Sequence, residues 1–335
     1  MQKLPRNSIE NYSYSNGIEG IGIRAVKPAD CIWVQGVTLT GDAPKGFVRI
    51  YEYQPNGTVR RSNPNTWPLY IAKTGHKWYP VESITEHLLN RLGIAFGLKM
   101  ADSSLGIING QLRFLSRYFL HPSNEALVHG AEIFAGYLED IAFVESVESA
   151  NLSRALFTLQ FVEKAVSKAF PAEASQIMAD LVKLLLFDAM VGNNDRHFYN
   201  WAVIQPFDKR KAARFSPVYD TARGLFWNVS DERLQMRVEQ KDVARFVQKY
   251  CDKSQPKLGW ENVEELNHFR LVKEIFDNEF HITRDDMRLL FSEDMLAAMK
   301  KVVNNEFGRL LSSVRKQMIN ECLDYRYKTI KEIIK

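Results

Sequence analysis

β-Branched and aromatic residues crowd the first third of the chain, in short runs that turn-forming residues separate. These runs lie between Ile21 and Ala72. The turn signals between them are Asp42-Ala43-Pro44, Pro55-Asn56-Gly57 and Asn63-Pro64-Asn65. Runs of this composition between turns predict strands. Asn109-Gly110 lies between two further apolar runs and predicts a hairpin. The sequence therefore predicts a strand-rich N-terminal lobe.

The apolar pattern changes to helical spacing from Val81 to Leu98. The apolar residues that share one face of this segment are Ile84, Leu88, Leu89, Leu92 and Phe96. A helix with one apolar face must bury it against another element. The pattern therefore predicts one helix that packs on the strands.

The chain beyond a polar stretch, His121-Pro122-Ser123-Asn124, is predicted to be mostly helical, and this stretch is a predicted hinge between lobes. The predicted helices run from Asn151 to Ala169, Glu173 to Val191, Val243 to Tyr250, Leu266 to Glu279, Met287 to Val302 and Phe307 to Ile334. Strands followed by helices predict an α+β fold. The expected lobes cover residues 1–118 and residues 119–335.

The stretch with the clearest chemistry is Gly192-Asn193-Asn194-Asp195-Arg196-His197-Phe198-Tyr199-Asn200. It follows an apolar run of helical length from Leu181 to Val191, and a Gly-Asn pair is typical of a helix end. The residues after it, Trp201 to Ile204, predict a short strand. Polar residues between two buried elements are held in place, as a catalytic loop requires.

Asp195 and Asn200 have the spacing of the protein-kinase catalytic loop, since four residues separate them. In that chemistry the Asp accepts the proton of the acceptor hydroxyl group, and the Asn holds a magnesium ion. Asp220 follows a short apolar stretch from Phe215 and occupies the place where a second magnesium ligand is expected. Taken alone, the Asp and Asn spacing also fits an Asx-turn that only shapes the loop.

Pro68 to Lys73 predicts a strand that ends on a lysine, which is how kinases present the ammonium group that holds ATP phosphates. A lysine on an edge strand can also serve only to prevent aggregation. The following helix carries Glu82 and Glu86, one turn apart. Glu86 is the predicted partner of Lys73, and Glu82 is the competing one.

The segment from Val37 to Val48 contains Gly41 and Gly46 around a short polar loop between predicted strands. Backbone N–H groups in such a loop can hold phosphate groups. The segment matches neither the Walker A pattern nor G-x-G-x-x-G, so a plain hairpin is the alternative.

The composition is that of a globular protein. It gives little support for a nucleic-acid-binding, disulfide-rich, zinc-binding or membrane-spanning protein. The 335 residues are 45% hydrophobic and 25% charged, enough for two lobes. A net charge of +4 that is spread along the chain gives little support for direct nucleic-acid binding. Cys31, Cys251 and Cys322 show no Cys-x-x-Cys spacing, so neither a disulfide framework nor a zinc site is predicted. Without an apolar signal-peptide core or an uncharged span of transmembrane length, a cytoplasmic location without a membrane span is expected.

Several segments, in this order along the chain, resemble the HipA-like serine/threonine kinases, a family of bacterial toxin kinases, and in particular its compact cell-translocating kinase A group. Thr38 to Lys45 is similar to the family's phosphate loop, and Lys73 ends the matching strand. Residues 81–98, which include Glu86, are similar to the family's regulatory helix. Residues 195–200 resemble the catalytic loop, and residues 217–220 resemble the metal-binding segment.

This resemblance implies a bilobal protein-kinase-like fold with a β-rich N-terminal lobe and a mostly helical C-terminal lobe. It implies a protein kinase that uses ATP and Mg²⁺, with Asp195, Lys73 and Glu86 as catalytic residues and with Asn200 and Asp220 as magnesium ligands. Arg113 to Arg117 is similar to the family's hinge. The residues implied to bind the nucleotide are Thr38, Thr40, Gly41, Lys45, Lys73, Phe114, Leu115, Ser116, Asn200 and Asp220.

The resemblance also implies regulation and protein partners. Thr38 takes the position of the family's autophosphorylated serine, and Thr40 is the alternative acceptor. The expected substrate is a protein with a Ser or Thr acceptor. The expected role is that of a toxin or effector. Secretion or transfer into a host cell is therefore the alternative to a cytoplasmic location. An antitoxin is a candidate partner, although the sequence before Thr38 is too short for the additional N-terminal subdomain of the longer toxin kinases.

The motif Asp195-Arg196-His197-x-x-Asn200 is also similar to the Asp-Arg-His-x-x-Asn loop of phosphoinositide kinases. A lipid or small-molecule kinase is therefore the alternative function. Lipid kinases usually carry a basic activation segment, whereas the stretch from Arg223 to Lys241 mixes acidic and basic residues, which favours a protein acceptor. A non-enzymatic binding module is the third class, and the intact set of charged residues argues against it.

Overall fold

A computed structural model describes residues 23–35, 45–75, 78–121, 123–150, 152–208 and 210–335. The strands are β1 (Arg24–Ala25), β2 (Cys31–Trp33), β3 (Lys45–Ile50), β4 (Leu69–Lys73), β5 (Ser103–Ile108), β6 (Gln111–Arg117), β7 (Glu125–His129), β8 (Ala202–Pro206) and β9 (Arg214–Phe215). The helices are α1 (Val81–Ala95), α2 (Gly130–Leu138), α3 (Ile141–Ser149), α4 (Ser153–Leu156), α5 (Leu159–Ala169), α6 (Ala174–Val191), α7 (Asp231–Glu239), α8 (Val243–Asp252), α9 (His268–Asn278), α10 (Arg284–Leu290), α11 (Glu293–Lys301) and α12 (Ser313–Ile333).

The N-terminal part is built on a six-stranded sheet with the order β1-β5-β6-β4-β3-β2. Its neighbours are antiparallel except β1 and β5. Asn109 and Gly110 turn the chain between β5 and β6 with positive φ angles of 53° and 74°. An Asn-Gly hairpin turn requires such angles, so the hairpin predicted from this pair is confirmed. The predicted strand that ends on Lys73 is confirmed as β4.

The two faces of this sheet bury different sets of side chains. One face carries a small apolar cluster of Val26, Val48, Ile50, Tyr70, Ala72, Ile108 and Leu115. On the other face, α1 packs against β5 and β6, and its apolar side belongs to the main core of the molecule. The predicted packing of one helix on the strands is therefore confirmed.

The helical part is arranged around α6, which is buried along most of its 18 residues. Helices α5, α9 and α12 pack against it. A helix that is apolar on all sides belongs in a core. It ends where Gly192 adopts a φ of 68°, and a Cβ atom there would lie 2.3 Å from the guanidinium group of Arg326. The helix end predicted from Gly192 is thus confirmed, and the local packing requires glycine.

Two of the predicted helices are wrong as single elements. The segment from Asn151 to Ala169 contains α4 and α5, and the segment from Met287 to Val302 contains the end of α10 and all of α11. The side chains of Thr158 and Ser292 accept hydrogen bonds from main-chain amides at the start of α5 and α11. Such caps begin new helices, which the apolar spacing did not reveal.

A second sheet has three antiparallel strands in the order β7-β8-β9. Strand β8 follows the loop that ends at Asn200, as predicted, and β9 leads toward Asp220. Among the described residues, no helix is both long and apolar enough to cross a membrane. The lobe boundary at residue 118 stays a prediction.

Candidate active site

Lys73, at the end of β4, lies between two carboxylate groups from distant parts of the chain. Its Nζ atom is 2.7 Å from Oε1 of Glu86 on α1 and 2.8 Å from Oδ1 of Asp220. The predicted pair of Lys73 and Glu86 is therefore confirmed. The contact with Asp220 additionally joins the sheet to the segment that follows β9.

The charges of this group are coupled because its members are largely removed from water. Burial opposes the ionised form of Lys73, but Asp220 and Glu86 outweigh it and raise the pKa of the ammonium group. Burial also opposes ionisation of Asp220, yet the Lys73 ammonium group lowers the pKa of this carboxyl to about 2. For Glu86, burial prevails over Lys73 and raises the pKa to about 7. Lys73 and Asp220 are thus charged at neutral pH, while Glu86 titrates there.

Asp220 has a backbone conformation that few residues other than glycine adopt. Its φ angle is 53°, in the left-handed region. That conformation costs a non-glycine residue about 1–2 kcal/mol, and Asp is among the residues that tolerate it best. Val218, two residues earlier, exchanges main-chain hydrogen bonds with Lys99 and Ala101, which fix the segment next to β5. The surrounding structure therefore holds Asp220 in a strained position, as is common at functional sites.

The predicted catalytic loop brings Asp195 and Asn200 together. The Nδ2 atom of Asn200 donates a hydrogen bond of 2.7 Å to the main-chain oxygen of Asp195. The Oδ2 atom of Asp195 is 3.1 Å from Nε of Arg223. Burial raises the pKa of Asp195 above its ordinary value, and Arg223 opposes this effect. A carboxylate with a raised pKa is a better proton acceptor near neutral pH.

Arg196, the residue after Asp195, uses all five N–H donors of its guanidinium group. Two bonds go to the carboxylate of Asp188 at 2.9 and 3.1 Å. The other three go to the main-chain oxygens of Asn200 and Tyr219 and to the hydroxyl group of Thr221. One buried side chain therefore connects the catalytic loop to both neighbours of Asp220.

Asp188 was not predicted as part of the site, although the sequence contains a signal for it. It is the one acidic residue in the apolar run from Leu181 to Val191, and it is completely buried on α6. A buried carboxylate requires partners. Its partners are Arg196 and the amide group of Asn193, which donates a bond of 2.9 Å. Arg223 was also missed. It is distant from Asp195 in the sequence, and no motif spacing relates the two residues.

The family assignment follows from the extent of the sequence match. The HipA-like C-terminal domain family matches residues 37–293, which is more than half of the chain. The chain belongs to the HipA-like kinase family. The matched range includes Lys73, Glu86, the loop from Asp195 to Asn200, and Asp220, so these residues of the candidate site all lie within it.

A similar fold is found in a solved kinase structure. The Helicobacter pylori proinflammatory kinase CtkA is similar over 92% of this chain and 96% of its own, with a TM-score of 0.69 and 15% identity. HipA in the toxin–antitoxin complex of HipA, HipB and operator DNA from Shewanella oneidensis MR-1 gives a TM-score of 0.44 and 12% identity, over 79% of this chain and 57% of its own. None of the curated proteins matches the sequence. The likeness to CtkA confirms the predicted α+β kinase fold.

The oxygen donors of the candidate site are of the kind that a magnesium ion would accept as ligands. Asp220 offers carboxylate oxygens, and the hydrogen bond of Asn200 to Asp195 uses its amide nitrogen, so its oxygen is the atom that would face a metal ion. Magnesium prefers oxygen ligands and takes several of them from phosphate groups and water, so two protein ligands suffice. In the described part of the chain, no cluster of three or more His, Cys, Asp or Glu residues could hold a metal ion.

The other residues that were predicted to bind the nucleotide differ in their position relative to Lys73, Glu86 and Asp220. Phe114 and Ser116 line a small cavity together with Glu86 and Asp220, whereas the side chain of Leu115 packs into the apolar cluster on the opposite face. Lys45 pairs with Lys73 across β3 and β4. Thr38, Thr40 and Gly41 lie outside the described residues.

Proposed function

We propose that this protein is an ATP- and magnesium-dependent serine/threonine protein kinase of the HipA-like type. The observation that carries the proposal is the position of Lys73, whose ammonium group is held between Glu86 and Asp220. A lysine fixed in this way can bind phosphate oxygens without moving, and positioning is the main contribution of a protein to phosphoryl transfer.

The residues of the site divide the work of the reaction. Asp195 accepts the proton of the acceptor hydroxyl group, and its raised pKa suits that task. Lys73 binds phosphate oxygens of ATP. Asn200 and Asp220 would hold a magnesium ion, which would neutralise charge on the phosphates. The hydrogen bonds of Arg196 hold Asn200 and the two neighbours of Asp220 in fixed positions relative to each other. The Ser or Thr acceptor is carried over from the family resemblance.

The test separates the base from the metal ligand by two substitutions. Asp195→Asn and Asp220→Ala should each abolish phosphate transfer to a protein lysate while leaving the circular dichroism spectrum unchanged. Asp220→Ala should also weaken magnesium-dependent ATP binding in calorimetry, whereas Asp195→Asn should bind ATP nearly as the unmodified protein does. Equal loss of ATP affinity in both variants would contradict the assigned roles. Transfer to phosphoinositide vesicles in place of protein would show a lipid kinase.

We further propose that the kinase modifies itself in the segment from Thr38 to Lys45, at Thr38 or at Thr40. The segment is rich in the residue types that bind phosphate, and the family resemblance carries an acceptor to Thr38. A phosphothreonine brings about two negative charges at neutral pH. These charges would compete with ATP for the same donors, so activity should fall as the modification accumulates.

A further inference from the structure

A cavity of about 290 Å³ lies beside the catalytic loop and is separate from the cavity at Glu86 and Asp220. Its lining residues are Asn194, Phe246, Lys249, Tyr250, Lys253 and Ser254. None of them has a role in the phosphoryl-transfer chemistry described above. Most of them belong to α8 and the residue after it.

The cavity is connected to the base of the reaction through Asn194, the residue before Asp195. The Oδ1 atom of Asn194 accepts hydrogen bonds from the hydroxyl group of Ser254 at 2.7 Å and from the main-chain amide of Gln255 at 3.1 Å. These bonds fix the end of α8 against the catalytic loop. A group bound in the cavity therefore lies next to the place where the acceptor hydroxyl group must approach.

The chemistry of the cavity is cationic at its edge and aromatic inside. Lys249 and Lys253 are exposed and one helical turn apart, and Phe246 and Tyr250 are half-buried. Within the described residues, neither lysine has an ion-pair partner. Like charges one turn apart repel each other, so this arrangement disfavours the free helix and favours an anionic ligand.

The acidic residue of the same helix does not compensate for this charge. Asp252 accepts a hydrogen bond from the hydroxyl group of Tyr325 on α12 and does not line the cavity. Further cations lie nearby, since Arg223 pairs with Asp195 and Lys257 acts electrostatically on the same carboxylate. Lys257 is therefore a third lysine on this side of Asp195, in addition to Lys249 and Lys253.

We propose that this cavity binds an acidic segment of the protein substrate, next to the Ser or Thr that receives the phosphate. Carboxylates of the segment would pair with Lys249 and Lys253, and an apolar neighbour would pack on Phe246 and Tyr250. The proposal rests on the proposed function and names the substrate class of that site. A nucleic acid fits less well, because it needs an extended basic surface rather than two lysines around an aromatic cavity.

The first experiment measures binding and does not depend on catalysis. Two fluorescein-labelled peptides carry one serine flanked either by glutamates or by glutamines, and each is titrated with the full chain by fluorescence anisotropy at low salt. The protein should bind the glutamate peptide roughly tenfold more tightly, as two partly exposed ion pairs allow. The preference should shrink as salt is added, because exposed charges are screened.

Charge reversal tests whether the cavity causes the preference. The variant Lys249→Glu/Lys253→Glu should lose the tenfold preference. The control Lys301→Glu/Lys328→Glu makes the same change in net charge at exposed lysines of α11 and α12 and should keep it. The ratio of kcat/KM for the glutamate peptide to that for the glutamine peptide should likewise fall in Lys249→Glu/Lys253→Glu and stay unchanged in the control.

Several results would overturn the proposal. Equal affinity of the unmodified protein for the two peptides would do so, as would full retention of the preference in Lys249→Glu/Lys253→Glu. An oligonucleotide or an anionic vesicle that binds through these lysines, when the glutamate peptide does not, would assign the cavity to another class. If no phosphate is transferred to any peptide, the proposed function fails, and the anisotropy titration still decides what the cavity binds.

Discussion

The substitution Arg196→Lys should disable the kinase even though it preserves the charge. The lysine has three donors, whereas the guanidinium group of Arg196 makes five hydrogen bonds. At least two buried acceptors therefore lose their donor. Each loss costs about 1–3 kcal/mol, so the free energy of unfolding should fall by about 2–6 kcal/mol.

The effect on catalysis should be separable from the effect on stability. Arg196 holds the main chain at Asn200 and at Tyr219, the residue before Asp220, so its loss should displace the two proposed magnesium ligands, Asn200 and Asp220. A displacement of about 1 Å can lower the rate about 10²-fold, and kcat should fall by roughly that factor in the folded protein. Phosphate transfer is measured at a temperature where circular dichroism shows the variant folded, and stability is measured by guanidinium denaturation.

Arg315→Lys is the matched control. Arg315 is also buried, and it pairs with Asp231 at 2.8 Å and donates to the main-chain oxygens of Phe226 and Val229. It touches neither the catalytic loop nor the segment before Asp220 through these bonds. The control should therefore lose stability, because an ammonium group cannot reproduce the planar fork of the guanidinium group, and should keep its kcat. Similar kcat values for Arg196→Lys and the unmodified protein, or equal losses in both variants, would refute the positioning role of Arg196.

Two further predictions concern pH and self-modification. Because burial raises the pKa of Glu86 to about 7 from 4.5, its contribution to stability is present below pH 4.5 and is lost as the pH rises through about 7. The same deprotonation completes the ion pair with Lys73, so kcat/KM for ATP should rise near pH 7. Glu86→Gln should lower activity and remove this rise while Glu82→Ala keeps it; a rise that persists in Glu86→Gln would assign the titration elsewhere. After incubation with magnesium and ATP, mass spectrometry should find phosphate at Thr38 or Thr40 of the unmodified protein and not of Asp195→Asn, and an active enzyme without either modification would end that proposal.

The parts of the fold that were predicted correctly carry strong local signals. The Asn109-Gly110 hairpin and the end of α6 at Gly192 depend on backbone angles that only a few residue types accept. The pairing of Lys73 with Glu86 was predictable because a strand end and a helix face limit which side chains can meet. In each case a few neighbouring residues were enough to determine the local geometry.

The parts that were missed depend on contacts between distant residues. Arg196 collects acceptors from α6, from the catalytic loop and from the segment near Asp220, and no spacing in the sequence reports that convergence. The helix breaks at Thr158 and Ser292 were hidden because each cap lies within a continuous helical apolar pattern. The free energies of starting a new helix at a cap and of continuing the existing helix differ by little. Tertiary contacts therefore determine which of the two forms.

Helix α1 has an apolar face that belongs to the core of the helical part, although it follows a strand of the sheet. Its last residues lead to Phe96, whose ring lies 5.5 Å from Phe187 on α6 and 5.6 Å from Phe291. Arg91 on α1 also pairs with Glu306 at 2.8 Å. The helix is therefore fastened to the C-terminal part more firmly than its place in the sequence suggests.

This attachment determines which parts of the kinase can move together. If the nucleotide cleft opens with α1 held on the helical core, α1 has to slide along β5 and β6, and the division falls between α1 and β4. The ion pair of Lys73 and Glu86 spans that division, so it would be broken by opening and restored by closure. Amide hydrogen exchange should accordingly show α1 protected to the same degree as α6, while β3 and β4 exchange independently. The ion pair of Lys73 and Glu86 would thus report directly on whether the cleft is closed.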